Sequence, residues 1–408
     1  MNWDFLIKDR ASLQVTTDSR KVVPGSVFVA LKGEHFDGND FVEQAKREGA
    51  EYVICGENAL RDLQDLARAW RRELELPILG ITGTNGKTTT KELCAAVLGT
   101  KYNLYYTQGN LNNQIGVPLT LLSITRAHEM AIVEMGASHP GDIQELVEIA
   151  EPNYGLITNV GRAHLQGFGS FEGVMRTKAE LYDFLLAHNG TIFQNEDNPH
   201  LKEMLADSKI RRFENLKIEN CPLSIVHYST GVMPEGTHLV GGYNAENVSA
   251  AICVGKYFGV SEEDALAAIR AYVPSNNRSQ LLQTAHNTVV VDAYNANPTS
   301  MTAAIEAFYK GQRDKGQRTK ECFILGAMRE LGKYSHLEHQ NIVNMLLERK
   351  ADHVLLVGEE YKDTTAPYPV FDNVDALCEH LKNNPITGYR ILLKGSRSNT
   401  LEKVIPLL

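Results

Sequence analysis

The sequence predicts an α/β protein of three domains, with a central doubly wound, mainly parallel sheet carrying a phosphate-binding loop (P-loop) between α/β N- and C-terminal domains. Three observations lead there. The chain has 408 residues, whereas single hydrophobic cores stop growing at about 250–300 residues. Short apolar runs of strand character alternate with helical windows, the pattern of parallel strands covered by helices. A glycine-rich turn, ITGTNGKTTT at 81–90, lies between one such strand and one such helix.

The first domain is expected at residues 1–76. It offers an apolar alternation at 26–31, the polar loop KGEHFDGND, an amphipathic helix at about 41–48 and a strand at 52–55. The second, 77–273, opens with the buried-strand run PILGIT and the helical KTTTKELCAAVLG; strands follow at 130–134, 155–159 and 191–194, with helical windows at 142–149 and 171–186. After Tyr272-Val273-Pro274 a third alternation, 274–408, places strands at 288–292, 322–325, 353–357 and 390–393. The span 206–230 reads as irregular, a local excursion within the middle domain. No internal repeat or low-complexity tract is found.

A formal net charge of -9 excludes a general nucleic-acid binder, because phosphate backbones select clustered Lys and Arg. Cys55, Cys94, Cys221, Cys253, Cys322 and Cys378 form no CxxC pair, so neither a zinc site nor a redox motif is indicated. No run of about 18 apolar residues occurs, and the first residues, MNWDFLIKDR, lack a basic region followed by an apolar stretch. A cytoplasmic monomer without a membrane span is expected.

The strongest chemical signal is the turn at 81–90. Such a turn aims backbone N–H groups and the positive end of a helix at one point, which suits a polyphosphate. Lys87 would neutralise the outer phosphates and Thr88 would offer its hydroxyl to Mg2+. The strict GxxxxGK[ST] pattern fails at Ile81, but the shorter GTNGKT keeps Gly83 and Gly86 where backbone must approach phosphate. Plain loop chemistry is the alternative. Glu134 stands at the C-terminal end of a strand, where ligands gather in open α/β sheets, and suits Mg2+ beside phosphate; an edge-exposed carboxylate is the lesser alternative. Asn159 and His164 follow another strand, so His164 could reach the same centre as a neutral imidazole or be structural. By periodicity Lys178 reads as one solvated charge among Arg176, Lys178 and Glu180, and nothing in the pattern promotes it to a functional residue.

At this point the chain resembles the Mur ligase family along essentially its whole length. GTNGKTTT resembles the family's ATP loop. TQGNLNNQIGVPLTLL, IVEMGASHPGDI and NVGRAHLQGFGS resemble the members that join D-alanyl-D-alanine to a UDP-linked muramoyl tripeptide, as do DAYNANPTSMTAAIEAF, LGAMRELGKYSHLEHQ and LLKGSRS in the C-terminal domain. TDSRKVVPGSVFVALKG resembles the N-terminal uridine-nucleotide domain. The resemblance implies an ATP-dependent amide-bond ligase of peptidoglycan synthesis acting through an acyl phosphate, with UDP-N-acetylmuramoyl-tripeptide and D-alanyl-D-alanine as substrates, and ATP and two Mg2+ as cofactors.

It also implies residue roles. Gly83, Thr84, Asn85, Gly86, Lys87, Thr88 and Thr89 would bind the phosphates, and Lys87, Glu134, His164 and Lys178 would be catalytic. Thr88, Glu134 and His164 would serve Mg2+ together with Lys178, which matches a lysine that the family carbamylates with CO2 to an N6-carboxylated form. Asn244 and Arg278 match nucleotide contacts, and Asp292, Tyr294, Asn295 and Asn297 match the ribose and adenine motif. Asn113 would lie near substrate and metal and Asn112 on the substrate side; Ser19 and Arg20 would lie on the UDP side; Lys394 or Arg397 would anchor the far carboxylate of the dipeptide, either being equally readable as a surface charge. The sequence departs from the family at Tyr243, where many relatives have His, at Asn39, where His is usual, and at Asn277, where Gly often stands. A sister ligase adding one diamino acid is disfavoured by the absence of a DNPR-like box, folate-polyglutamate ligases by the N-terminal domain, and a non-catalytic relative by the presence of Lys87, Glu134 and Lys178.

Overall fold

A computed structural model describes residues 3–216, 224–274, 278–313, 320–351 and 353–408. Three sheets follow one another along the chain. The first contains β1 (Val15–Thr16), β2 (Val27–Val29) and β3 (Tyr52–Ile54), all parallel in that order. The apolar alternation expected here is overridden: Val27, Phe28 and Val29 are all buried. Phe28 packs with Ala45 of the helix Val42–Arg47, whereas Val27 and Val29 share a core with Leu63, Leu66 and Trp70 of the helix Ala59–Leu74. A parallel strand covered on both faces has no polar side to present.

The helix Ala59–Leu74 also ties this unit to the next. Trp70 Nε1 donates to the Ile124 carbonyl at 2.9 Å, and the buried Arg71 donates through Nε to the Ala150 carbonyl at 3.0 Å and through Nη2 to Asn153 Oδ1 at 2.9 Å.

The central sheet comprises β4 (Ile78–Thr82), β5 (Leu104–Tyr106), β6 (Met130–Glu134), β7 (Tyr154–Ile157), β8 (Thr191–Asn195) and β9 (Ser224–Tyr228), in the order β5-β6-β4-β7-β8-β9. Every pairing is parallel, and β4 and β6 are buried throughout. The chain leaves β4 to one side for β6 and returns on the other for β7. The crevice beyond the C-terminal ends of these strands is therefore the topological switch point, where doubly wound sheets bind ligands. The span 206–230 is less irregular than its composition suggests: the helix Pro199–Leu216 runs into it and β9 closes it as the edge of the central sheet. Cys221 and Asn277 lie outside the described residues.

The third sheet comprises β10 (Gln280–Gln283), β11 (Thr288–Asp292), β12 (Lys320–Gly326), β13 (His353–Val357), β14 (Val370–Phe371) and β15 (Tyr389–Lys394), ordered β10-β11-β15-β12-β13-β14. Only β10 and β11 pair antiparallel. The C-terminal ends of β11 and β15 face the crevice of the central sheet, bringing Asp292 and Lys394 to it.

Candidate active site

The crevice is a cleft of about 630 Å³ lined by the turn after β4, the ends of β6 and β7, and residues of the third sheet. Its floor is the turn at 83–86. Gly83 has φ +142°, and a Cβ there would lie 2.0 Å from Thr158 Oγ1; Gly86 has φ +79°, and a Cβ would lie 2.4 Å from Asn247 Oδ1. Both positions exclude a side chain through backbone conformation and through space. The residues that end β7 clamp the turn. Asn159 Oδ1 accepts from Asn85 N at 3.0 Å, Asn159 Nδ2 donates to the Asn85 carbonyl at 3.1 Å, and Thr158 Oγ1 donates to that carbonyl at 2.6 Å. β7 itself stops at Ile157, two residues short of the expected end at Asn159.

Lys87 opens the helix Lys87–Leu98. Its Nζ donates to the carbonyls of Gly83 at 2.7 Å and Thr84 at 3.0 Å. Burial pulls its pKa down to about 8, with Glu134 opposing and Arg278 adding to the shift. Thr88 Oγ1 donates to Glu134 Oε1 at 3.1 Å, and Asn112 Nδ2 donates to the same oxygen at 2.9 Å. Glu134 is 2% exposed, which removes the edge-exposed reading. Its other oxygen, Oε2, is buried without a hydrogen bond; the fully buried Lys91 ammonium stands 3.8 Å away.

That orphaned oxygen, beside a threonine hydroxyl at the foot of the phosphate turn, fits Mg2+, which takes one or two carboxylates and draws its other ligands from phosphate and water. Among the described residues no group of three or more His, Cys, Asp or Glu could hold a metal unaided.

His164 also lines the cleft. Burial lowers its pKa, and the ammonium groups of Lys87 and Lys178 act in the same direction, against the raising effect of Glu330. The imidazole is therefore held towards its neutral form, as a metal ligand requires. Glu330 was not singled out from the sequence, although it lies within the LGAMRELGKYSHLEHQ motif.

Lys178 corrects the periodicity reading. It is 2% exposed on the helix Phe171–Ala187, over the Phe168 ring at 5.8 Å. Burial and the Lys87 charge push its pKa well below the usual lysine range, with Asp142 and Glu180 opposing. Periodicity cannot separate a solvated face from one covered by a neighbouring element, here the short helix that carries Phe168.

On the opposite wall, the Arg278 guanidinium lies 3.8 Å from the Tyr294 ring centroid, and its Nε is buried without a partner. Tyr243 bonds Ser279 through its hydroxyl at 2.6 Å, which gives this tyrosine a structural task. Asn244 accepts from Asn247 Nδ2 at 2.9 Å, and Asn247 Oδ1 accepts from Thr90 at 3.0 Å, linking Asn244 to the helix of the phosphate turn. Asn295 and Thr89 line the cleft; Asn297 meets Asn85.

Other expected residues stand elsewhere. Lys394 reaches the cleft but is 1% exposed, and its Nζ bonds Asp292 Oδ2 at 2.5 Å, so it is no surface charge. Arg397 is exposed beside Tyr294, 5.8 Å from the ring. Asn113 lines the cleft, its Oδ1 accepting from Gly116 N at 2.9 Å at the start of the helix Gly116–Leu122. Ser19 and Arg20 lie on the first unit away from the cleft lining, Arg20 paired with Asp18 at 2.8 Å. Asn39 ties its loop to Gly56 N at 2.9 Å.

Three family models cover most of the chain: "Mur ligase family, catalytic domain" over 14–83, "Mur ligase middle domain" over 81–255 and "Mur ligase, glutamate ligase domain" over 277–397. The UDP-N-acetylmuramoyl-tripeptide--D-alanyl-D-alanine ligases of Bacillus subtilis and Escherichia coli are each 34% identical, over 96% and 97% of this chain and 92% and 93% of theirs. Among solved structures, the MurF ligase of Thermotoga maritima in complex with ADP superposes with a TM-score of 0.82 at 26% identity, covering 98% of both chains. MurF from Acinetobacter baumannii gives 0.80 at 27%, over 96% and 92%.

Proposed function

The chain belongs to the Mur ligase family, and from that premise we propose that it joins D-alanyl-D-alanine to UDP-N-acetylmuramoyl-tripeptide at the expense of ATP, in the cytoplasm. The observation that carries this reading is one cleft in which the glycine-rich turn, Glu134 and His164 face Arg278, Asp292 and Tyr294 of the third unit; the buried Lys178 lies behind the lining, close enough for the Lys87 charge to act on it. No helix among the described residues is long and apolar enough to cross a membrane.

In the first step a carboxylate oxygen of the tripeptide attacks the γ-phosphorus of ATP, forming an acyl phosphate and releasing ADP. Lys87 turns from the carbonyls of Gly83 and Thr84 to the outer phosphates and offsets the charge that develops there. Thr88, Glu134 and His164 would hold one Mg2+, and Lys178, once carbamylated, a second; when bound, these ions neutralise charge on the transferring phosphoryl group. The amine of D-alanyl-D-alanine then attacks the acyl carbon, phosphate leaves, and the nitrogen loses a proton. An α-amino group has a pKa of about 7.7–8.0, so roughly a tenth is neutral at pH 7 without a strong base. The protein's larger task is to hold amine and acyl phosphate together away from water. We assign the anchor for the far dipeptide carboxylate to Arg397, because Lys394 is committed to Asp292.

The test is phosphate release with D-alanyl-D-alanine, D-alanine, L-lysine and diaminopimelate offered separately on UDP-muramoyl dipeptide and tripeptide. ATP-dependent product is expected only from D-alanyl-D-alanine on the tripeptide. Faster turnover of a single diamino acid on the dipeptide overturns the assignment while leaving the ligase class intact.

A further inference from the structure

The loop that carries His164 is gripped by the C-terminal unit. Glu330, in the turn after β12, bonds His164 Nδ1 through Oε2, and its carbonyl accepts from Gln166 N at 3.1 Å. Close by, Arg162 Nη1 donates to the buried Glu338 at 2.8 Å, and Arg162 N donates to Thr299 Oγ1 at 2.9 Å. Every one of these contacts joins the central unit to the third. His164 and Glu330 both have left-handed backbone, φ 50° and 60°. Residues other than glycine adopt that region only where the surroundings over-determine it, and such residues concentrate at functional sites.

A carboxylate only accepts. An imidazole bonded to one through Nδ1 therefore keeps its proton on that nitrogen and leaves the Nε2 lone pair for another partner. Here the ring and the carboxylate come from different structural units. We propose that Glu330 is a positioning residue of the ligase site: it holds His164 as the Nδ1–H tautomer, so that Nε2 becomes available as a ligand only while the third unit is docked on the central sheet. The proposal rests on the reading of His164 as a metal ligand. Docking and completion of the site then become one event, which confines phosphoryl transfer to the arrangement that shields the acyl phosphate from water. Without this role Glu330 is simply a docking contact, and the ring tautomer is indifferent to it.

The test uses the full chain with 15N-labelled histidine, free of nucleotide and Mg2+, with His164→Gln to assign the ring signals. Wild type should show a neutral Nδ1–H ring. Glu330→Ala should show mixed tautomers and a kcat lower by about 10–100-fold, with the KM for ATP little changed. Glu330→Gln, whose amide oxygen still accepts, should keep the wild-type ring signals and most of the kcat. An unchanged His164 tautomer in Glu330→Ala, an imidazolium in wild type at pH 7.5, or a normal kcat despite a changed tautomer would each overturn the proposal. A wild type with the expected tautomer response but no product from D-alanyl-D-alanine would instead sink the substrate assignment and leave the tautomer control standing.

Discussion

Asn85 and Asn297 exchange hydrogen bonds across the cleft: Asn297 Nδ2 donates to Asn85 Oδ1 at 2.8 Å, and Asn85 Nδ2 donates back to Asn297 Oδ1 at 3.4 Å. Asn297 also accepts from Ser300 N at 2.9 Å, capping the helix Pro298–Arg313. Asn297→Ala removes both the cap and the partner of Asn85, and should lower unfolding free energy by about 1–3 kcal/mol. Asn297→Asp keeps the cap but places a negative charge beside the phosphate turn. It should leave urea stability near wild type and raise the KM for ATP. Equal stability loss in both variants would mean that the cap does not contribute.

If Lys87 meets the nucleotide phosphates as proposed, ATP binding should be a proton-linked event. Its pKa is pulled down to about 8 by burial, and nucleotide phosphates would restore its charge. At pH 8.5, calorimetry in buffers of different ionisation enthalpy should report proton uptake on ATP binding, and Lys87→Met should abolish it. The same shift affects stability. The folded pKa lies below the unfolded value of 10.5, so the unfolded chain holds more protons between these limits, and stability rises with pH across that window. Relative to Lys87→Met, the wild-type denaturation midpoint should therefore climb from pH 8 to pH 10; a fall over that range contradicts the shift.

Much of this architecture is legible in the sequence. The strands at 130–134, 288–292 and 353–357 occur where apolar runs end at turn residues, and GTNGKT marks the floor of the cleft without any resemblance, because a tight turn between strand and helix constrains its glycines locally. What pattern cannot show is set by contacts distant in sequence. The burial of Lys178 depends on what covers its helix face, the clamp of Thr158 and Asn159 on Asn85 on strand ends meeting in space, and the pairing of Glu330 with His164 on two units docking. Each involves ordinary polar residues whose neighbours in the chain give no hint of the partner.

The glycines of the phosphate turn offer a controlled comparison. Gly83→Ala and Gly86→Ala combine left-handed or Gly-only backbone with a Cβ at 2.0 Å from Thr158 Oγ1 or 2.4 Å from Asn247 Oδ1. Each should destabilise by about 1–3 kcal/mol or more and weaken ATP binding in fluorescence titrations. Gly109→Ala has φ +58° but nothing within 4 Å of the added Cβ, so it reports backbone strain alone. If Gly109→Ala costs as much as the other two, steric exclusion in the turn is not what selects glycine there.

Lys178 carries the most specific chemical expectation. An ammonium offers no lone pair to a metal, and this one is buried, faced by the Lys87 charge and held well below the ordinary lysine pKa. A neutral amine is the form that adds CO2, giving a carbamate and one proton, and the product is a long-armed carboxylate that would be attracted to Lys87 instead of repelled by it. Wild type equilibrated with 13C-labelled CO2 should therefore show a carbamate resonance that Lys178→Ala lacks. Lys178→Ala should fold normally, since it removes a buried amine whose charged form is costly at that place, yet lose nearly all phosphate release. Formate or acetate should restore part of the activity by supplying oxygen ligands in the vacated volume, whereas chloride at the same ionic strength should not. Normal activity in Lys178→Ala without any additive would end the carbamate reading; inactivity without rescue, together with a carbamate signal in wild type, would mean that the carbamate must be tethered at its own position to act.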